Sequence, residues 1–473
     1  MSRQRWVLAL TSVAALMITL DALVVTTALN TIRTSLGASV EALEWTVNAY
    51  TLSFAVLMMT GAALGERLGR RRVFIAGLSL FTAASAACAL APGIGWLIAA
   101  RGVQGAGGAM ITPLAMSLVS TAFPPQQRAK AMGIFTGVMG LGILGGPVVG
   151  GAISEALSWQ WIFWLNVPIG LILIPLVRMR IEESARQPAR LDLGGVVLVT
   201  AASLGLVWGL VRGNTSGWAS AEVVSTLIAG AVLTAAFVVW EQRFRAPMLP
   251  MGLFRERTFR ASNASGFFLF ASNFSSLFLL AQYFQTALGY SPLNAGLRML
   301  PWTATVFAVA PVAGSMVARV GARRLMVGGM LMQAGGMGAI ALLVNSGASY
   351  PALVAPLVIA GSGISTAMPA SQNAVVGAVP PDAIGKASGA YNTLRQLGGV
   401  FGVAIVVSVF TGTGSYATVA SFTDGFIPAI GVSSALSVVA ALAGLAMPRR
   451  ARRSTMVEAA SLTAPAVAEP ART

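Results

Sequence analysis

The sequence predicts an all-α polytopic membrane protein with fourteen transmembrane helices, arranged as two six-helix bundles plus two linker helices. Three observations predict it. Of 473 residues, 56% are hydrophobic and only 10% are charged, with a mean hydropathy of +0.77; a soluble domain carries about 25% charged residues. Fourteen apolar stretches approach the roughly 20 residues that a membrane-spanning helix needs. The two halves of the chain also repeat one another.

The stretches cover residues 6–30, 45–65, 73–92, 96–120, 131–153, 160–178, 191–211, 221–241, 259–281, 299–318, 325–344, 351–375, 391–413 and 426–446. The first follows Arg3 and Arg5 and looks like a signal peptide. It lacks a convincing cleavage site and thirteen further spans follow, so it reads as a first helix. Pro301 and Pro311 break the tenth stretch, and Pro356 and Pro369 break the twelfth. The organisation is a bundle over 1–180, a linker over 181–258 with two spans and a basic loop, a second bundle over 259–448, and a tail over 449–473. That tail is Arg-rich, then Ala/Pro-rich, and is expected to be disordered.

Net charge is +16, and of 31 basic residues only Lys130 and Lys386 are lysines. In a soluble chain this would suggest nucleic acid. Here the basic residues cluster in alternate loops, around 67–72, 178–190, 243–260, 319–324 and 449–453. The opposite loops hold Arg33, Arg212 and Arg298. This positive-inside bias predicts cytoplasmic termini in an inner membrane, an even number of spans and no nucleic-acid partner. Cys88 is alone, which excludes a disulfide framework. There is no histidine, so a proton relay must use carboxylates and a histidine metal site is excluded.

Asp21 reads as the only acid well inside a long apolar segment: Trp6 to Leu29 holds no other ionisable side chain. Such a group costs about 3 kcal/mol at a helix centre on insertion scales. Burial disfavours a charged carboxylate and a nearby cation favours it, so intramembrane carboxyls can be poised to take and lose a proton. The alternative is a carboxylate that only hydrogen-bonds a neighbouring helix. Arg101 lies in the fourth stretch and needs a partner at membrane depth. Asp21 is the expected partner and Glu155 the alternative, unless Arg101 snorkels to the interface.

The repeat rests on Pro124-Pro125, Lys130-Ala131 and Gly133, which recur 256 residues later as Pro380-Pro381, Lys386-Ala387 and Gly389. Arg67 and Gly69 recur as Arg319 and Gly321. Charge does not repeat. Asp21 aligns with Asn273, Arg101 with Leu357 and Gln104 with Ala360. Proton chemistry is therefore expected in the first bundle. Neutral candidates for a cavity wall in the second are Asn263, Phe267, Phe270, Asn273, Tyr283, Gln285, Gln372, Asn373 and Asn392.

Four motifs carry a family resemblance. They are Leu20-Asp21 with Val24-Val25 and Ala28-Leu29-Asn30; Leu64 to Arg72, with Glu66, Arg67, Gly69 and Arg70; Arg101 to Ala109, with Gln104; and Gly133, Gly142, Gly146-Pro147 and Gly150-Gly151. In the last, residues 142, 146 and 150 share one helix face, and Pro147 permits a kink. Weaker supports are Trp159 to Phe163 with Asn166, Pro168 and Gly170; Gly289 to Pro292 with Ala295 to Leu297; and Asn392 with Arg395 to Gly399 and Gly402. Together they resemble the fourteen-helix drug:proton antiporters of the major facilitator superfamily, from Leu20 to about Ala404. The resemblance implies the major facilitator fold, no enzymatic activity, and export of small amphipathic, cationic compounds by a monomer driven by protons without a cofactor. It implies proton coupling at Asp21 and Arg101, and gating roles for Glu66, Arg67, Gly69, Arg70, Gln104, Gly142, Gly146, Pro147 and Gly150. Glu66 stands where Asp is usual, and an acid there can pair with an Arg or cap a helix N-terminus. A dedicated exporter of one metabolite or self-made antibiotic is the alternative, and a non-transporting scaffold or sensor the remote one. Gly140 to Gly145 fits GxGxxG but lies inside a span with no strand before it, and Gly385-Lys386 lacks the upstream Gly of a P-loop.

Overall fold

The computed structural model describes residues 3–184, 192–245, 247–380 and 383–448. The expected disordered tail and part of the basic stretch at 178–190 lie outside them. Every span forms a helix: α1 Arg3–Leu36, α2 Val40–Leu68, α3 Arg70–Ala89, α4 Ile94–Ala122, α5 Pro125–Ala156, α6 Trp161–Arg180, α7 Leu193–Ser216, α8 Ala221–Arg243, α9 Arg257–Thr286, α10 Pro292–Val317, α11 Ala322–Asn345, α12 Tyr350–Gly377, α13 Ile384–Thr413 and α14 Val419–Leu445. Thirteen are long and apolar enough to cross a membrane. The remaining one, α4, is 29 residues long, and its glycines, Arg101 and Gln104 dilute its hydropathy.

The prolines behave differently from expectation in α12, which runs unbroken through Pro356 and Pro369. Neighbouring helices in a bundle can satisfy the backbone groups a proline frees. In α10 the helix is interrupted, at Met299 and Ala304, on either side of Pro301.

Helices α1–α6 pack together and α9–α14 pack together, while α7 and α8 pair with each other. α7 lies along the seam between α2 and α13, where Asn214 donates to the Ser408 carbonyl and to Thr411 Oγ1. Small residues let backbones approach where helices cross. A Cβ on Gly107 would sit 2.7 Å from the Phe81 nitrogen, and one on Gly61 would sit 2.6 Å from the Ala109 carbonyl oxygen. α4 is thereby wedged between α3 and α2. α5 meets α1 the same way at Gly142, Gly146 and Gly150, against Leu20, Leu23 and Val24.

One face of the molecule carries the start of α1, the end of α14 and the Arg-rich turns. Toward the opposite face a single apolar core joins both bundles, drawing on Leu23–Ile32 of α1, Leu277–Phe284 of α9 and Val403–Phe410 of α13. Toward the Arg-rich face the cores separate. One belongs to α1–α6 alone, another to the second bundle, and a third joins α2 to the linker helices, α9 and α13. The bundles are thus sealed together at the far face, while α2 and α13 keep them in contact toward the Arg-rich face.

Candidate functional site

Asp21 is 2% exposed near the middle of α1. Its Oδ2 accepts a hydrogen bond from Arg101 Nη1 at 2.6 Å, and its Oδ1 accepts from Gln104 Nε2 at 2.8 Å and Asn166 Nδ2 at 2.7 Å. All three of the carboxylate's hydrogen-bond partners are donors. Arg101 is 1% exposed, so it does not snorkel. Its Nε donates to the Thr46 carbonyl at 3.3 Å, its Nη1 also donates to Gln104 Oε1 at 2.7 Å, and its Cζ lies 4.1 Å from the Tyr50 ring centroid. Gln104 also donates to Ser85 Oγ at 2.8 Å. Five helices (α1, α2, α3, α4 and α6) therefore converge on one charge pair.

Glu155 is not the partner of Arg101. It is exposed and accepts from the Leu293 amide at 3.1 Å. Asp21 is also not the only buried acid. Glu44 is fully buried in α2, which begins five residues earlier than its hydropathy suggests, and accepts from Asn48 Nδ2 at 2.9 Å. Asp192 and Glu241 are buried where the linker helices meet. Asp192 caps α7 through the Gly195 amide, and Glu241 accepts from the Leu249 amide.

The loop between α2 and α3 turns at Gly69, whose φ of 107° favours glycine. Gly321 repeats that turn between α10 and α11 with φ 94°. The acid that caps α3 is Glu183, not Glu66. Glu183 accepts from the Arg71 amide at 3.0 Å and the Arg72 amide at 3.2 Å, while Ser184 Oγ accepts from Arg70. Glu66 and Arg67 are exposed and form no ion pair among the described residues. Helix direction explains this: the first amides of α3 point back toward the end of α6. Glu183→Ala should lower the stability of the purified protein by about 1–2 kcal/mol. Thermal unfolding in detergent checks this, and an unchanged midpoint would show that the cap is not needed.

The second-bundle candidates divide. Phe267, Asn273, Gln372 and Asn392 are half-buried and Asn373 is exposed, its Nδ2 donating to the Pro369 carbonyl. Asn263 is buried and donates to the Phe259 carbonyl. Two expectations are corrected. Tyr283 stacks on Phe426 at 4.4 Å in the far-face core, so its ring is packing rather than cavity wall. Gln285 bridges the bundles, donating to the Thr27 carbonyl at 2.9 Å. With the Glu155–Leu293 contact and the close approach of Gly151 and Gly296 across α5 and α10, it latches the far face. Where the first bundle holds its charge pair, the second holds Leu357 and Ala360, both fully buried. Its polar network is neutral: Ser272 contacts Ser437 Oγ at 2.6 Å and accepts from Gln333 at 3.1 Å. Gln285→Ala should weaken the latch by about 1 kcal/mol, raising the far-face-open population roughly fivefold. Spin-label distances across the far face would show this, and an unshifted distribution would remove Gln285 from the latch.

Two repeated six-helix bundles, the first holding a buried charge pair at membrane depth, define a polytopic membrane transporter. The chain belongs to the Major Facilitator Superfamily, whose family model matches residues 11–403. It is 36% identical over 401 residues to the multidrug resistance protein Stp of Mycobacterium tuberculosis, covering 84% of this chain and 74% of that one. It is 35% identical over 444 residues to the cephamycin export protein CmcT of Amycolatopsis lactamdurans, covering 92% and 91%. Among solved structures it resembles a POT family transporter bound to 5-aminolevulinic acid, with TM-score 0.70, 14% identity, and coverage of 92% and 94%. The protein is a transporter and not an enzyme.

Proposed function

We propose that this transporter is a proton-driven exporter of amphipathic compounds, working by alternating access, with Asp21 as its proton carrier. The observation that carries the proposal is the fully satisfied Asp21–Arg101 pair, held by five helices at membrane depth. A buried ion pair of this kind is costly to form and more costly to break on one side only. Protonation of Asp21 removes the charge that holds Arg101 and so favours a different packing of α1 against α4. The kinship to multidrug and antibiotic export proteins supports export as the direction.

The Arg-rich face is the cytoplasmic one in this proposal, from the positive-inside bias. The far-face latch then lies on the outer side, and substrate is taken from the cytoplasm through the Arg-rich face. A membrane potential contributes about 2.3 kcal/mol per charge per 100 mV. At 100 mV that is enough for accumulation of about fortyfold per net charge moved, at about 1.4 kcal/mol per tenfold. Cells expressing the chain should lose dye efflux when a protonophore collapses the gradient. Efflux that persists under protonophore would count against a proton-driven mechanism.

A further inference from the structure

Arg395 lies near the middle of α13 and is unused by the Asp21 site. Among the described residues it makes no ion pair and no side-chain hydrogen bond. Its Nε is buried without a partner, as are Gln396 Oε1 and Thr393 Oγ1. An Arg at membrane depth is expensive, and structural ones pair with a carboxylate or carbonyl. Arg395 has instead an aromatic neighbour: its Cζ lies 4.8 Å from the Phe270 ring centroid. Phe270 and Phe274 are 5.9 Å apart, and Phe274 borders both the shared far-face core and the separate core of the second bundle. Its Cζ also lies 5.8 Å from the Tyr391 ring centroid, so Arg395 sits between the far-face core and the core that joins α2 to α13. It is half-buried there.

At membrane depth the acids of the facing bundle are already partnered or enclosed. Asp21 is saturated by Arg101, Gln104 and Asn166, and Glu44 is enclosed near the far end of α2. At the depth of Arg395 a cation would meet no free carboxylate among the described residues, while an anion would meet a guanidinium that has no ion pair or hydrogen bond.

We propose that Arg395 is a substrate-recognition residue, and that the compounds carried include amphipathic aromatic organic anions. This rests on the exporter reading and reverses the expected preference for cations. A carboxylate or ionised phenol would accept from Arg395, whose planar fork fits such groups bidentately. A hydroxyl on the same molecule would donate to Gln396 Oε1. The rings would lie against Phe270 and Phe274.

The test is equilibrium binding to the purified full-length protein, using anionic fluorescein and cationic rhodamine 6G as probes of similar ring size. The wild type should bind fluorescein. Arg395→Gln should weaken fluorescein about tenfold or more, as expected for loss of a charged hydrogen-bond partner. Arg395→Lys, which keeps the charge but loses the fork, should fall between. Rhodamine 6G should change less than about twofold, within the scatter for a contact not made. Equal weakening of both dyes would mean that Arg395 only supports the fold, and would overturn the assignment. Unchanged fluorescein affinity in Arg395→Gln, or no fluorescein binding by the wild type, would also overturn it. Binding does not require pumping. A wild type that binds fluorescein through Arg395 without proton-driven transport would sink the exporter reading and support this one.

Discussion

Asp21→Asn should fold, insert and bind substrate, yet lose transport driven by a pH gradient. Asparagine has nearly the shape of aspartate and keeps one oxygen, which can still accept from Gln104 and Asn166, while its NH2 stands where Oδ2 accepted from Arg101. Arg101 retains Gln104 Oε1, the Thr46 carbonyl and the Tyr50 ring. The structural loss is therefore smaller than the roughly 3–5 kcal/mol of breaking a buried pair outright. Asp21→Leu should suffer that full loss, because three donors would be stranded without an acceptor. The two variants separate the roles of the residue. Thermal unfolding should fall well below the wild type only for Asp21→Leu, whereas gradient-driven dye transport in vesicles should be lost in both. Asp21→Asn vesicles that still respond fully to an imposed pH gradient would show that the proton travels elsewhere.

Gly150→Val is the second large effect. A Cβ at Gly150 would lie 2.5 Å from the Val24 carbonyl oxygen, 2.9 Å from its Cα and 2.5 Å from Thr27 Oγ1. Two of these are backbone atoms of α1, which cannot swing aside as a flexible side chain can. The helices must part, and overpacking of this kind costs about 1–3 kcal/mol or more. Gly146 faces Leu23 Cβ at 2.6 Å and should be nearly as intolerant. Gly133, in the same motif, has open space around it in this conformation. Gly133→Ala should therefore leave stability unchanged. Folded yield and unfolding midpoint in detergent distinguish the three. A tolerated Gly150→Val would mean that α1 and α5 do not pack as described.

The core of the site was legible because its chemistry is rare in its setting. An acid inside an apolar run, and an Arg with a Gln one turn later in another, have few ways to be satisfied except by each other. Asn166 joined the site unannounced, since an Asn at membrane depth can bond to many groups and its sequence neighbourhood does not say which. Glu44 escaped because apolar windows trim the polar ends of a helix, and α2 begins at Val40. Tyr283 and Gln285 were misplaced for a related reason. On a buried helix every face is apolar, so phase alone does not say whether a side chain meets its own bundle, the other bundle or a cavity. Glu183 shows the same limit in a loop. The Arg-rich turn was visible, but its acidic partner lies more than a hundred residues away and only folding brings them together.

The central claim is that the proton taken up and lost during transport resides on Asp21. The direct measurement is proton release on substrate binding, followed with a pH indicator in weakly buffered detergent solution containing purified protein. The account predicts that the wild type releases protons on adding a transported dye and that Asp21→Asn, binding the same dye, releases none. Equal release from Asp21→Asn and the wild type would contradict it.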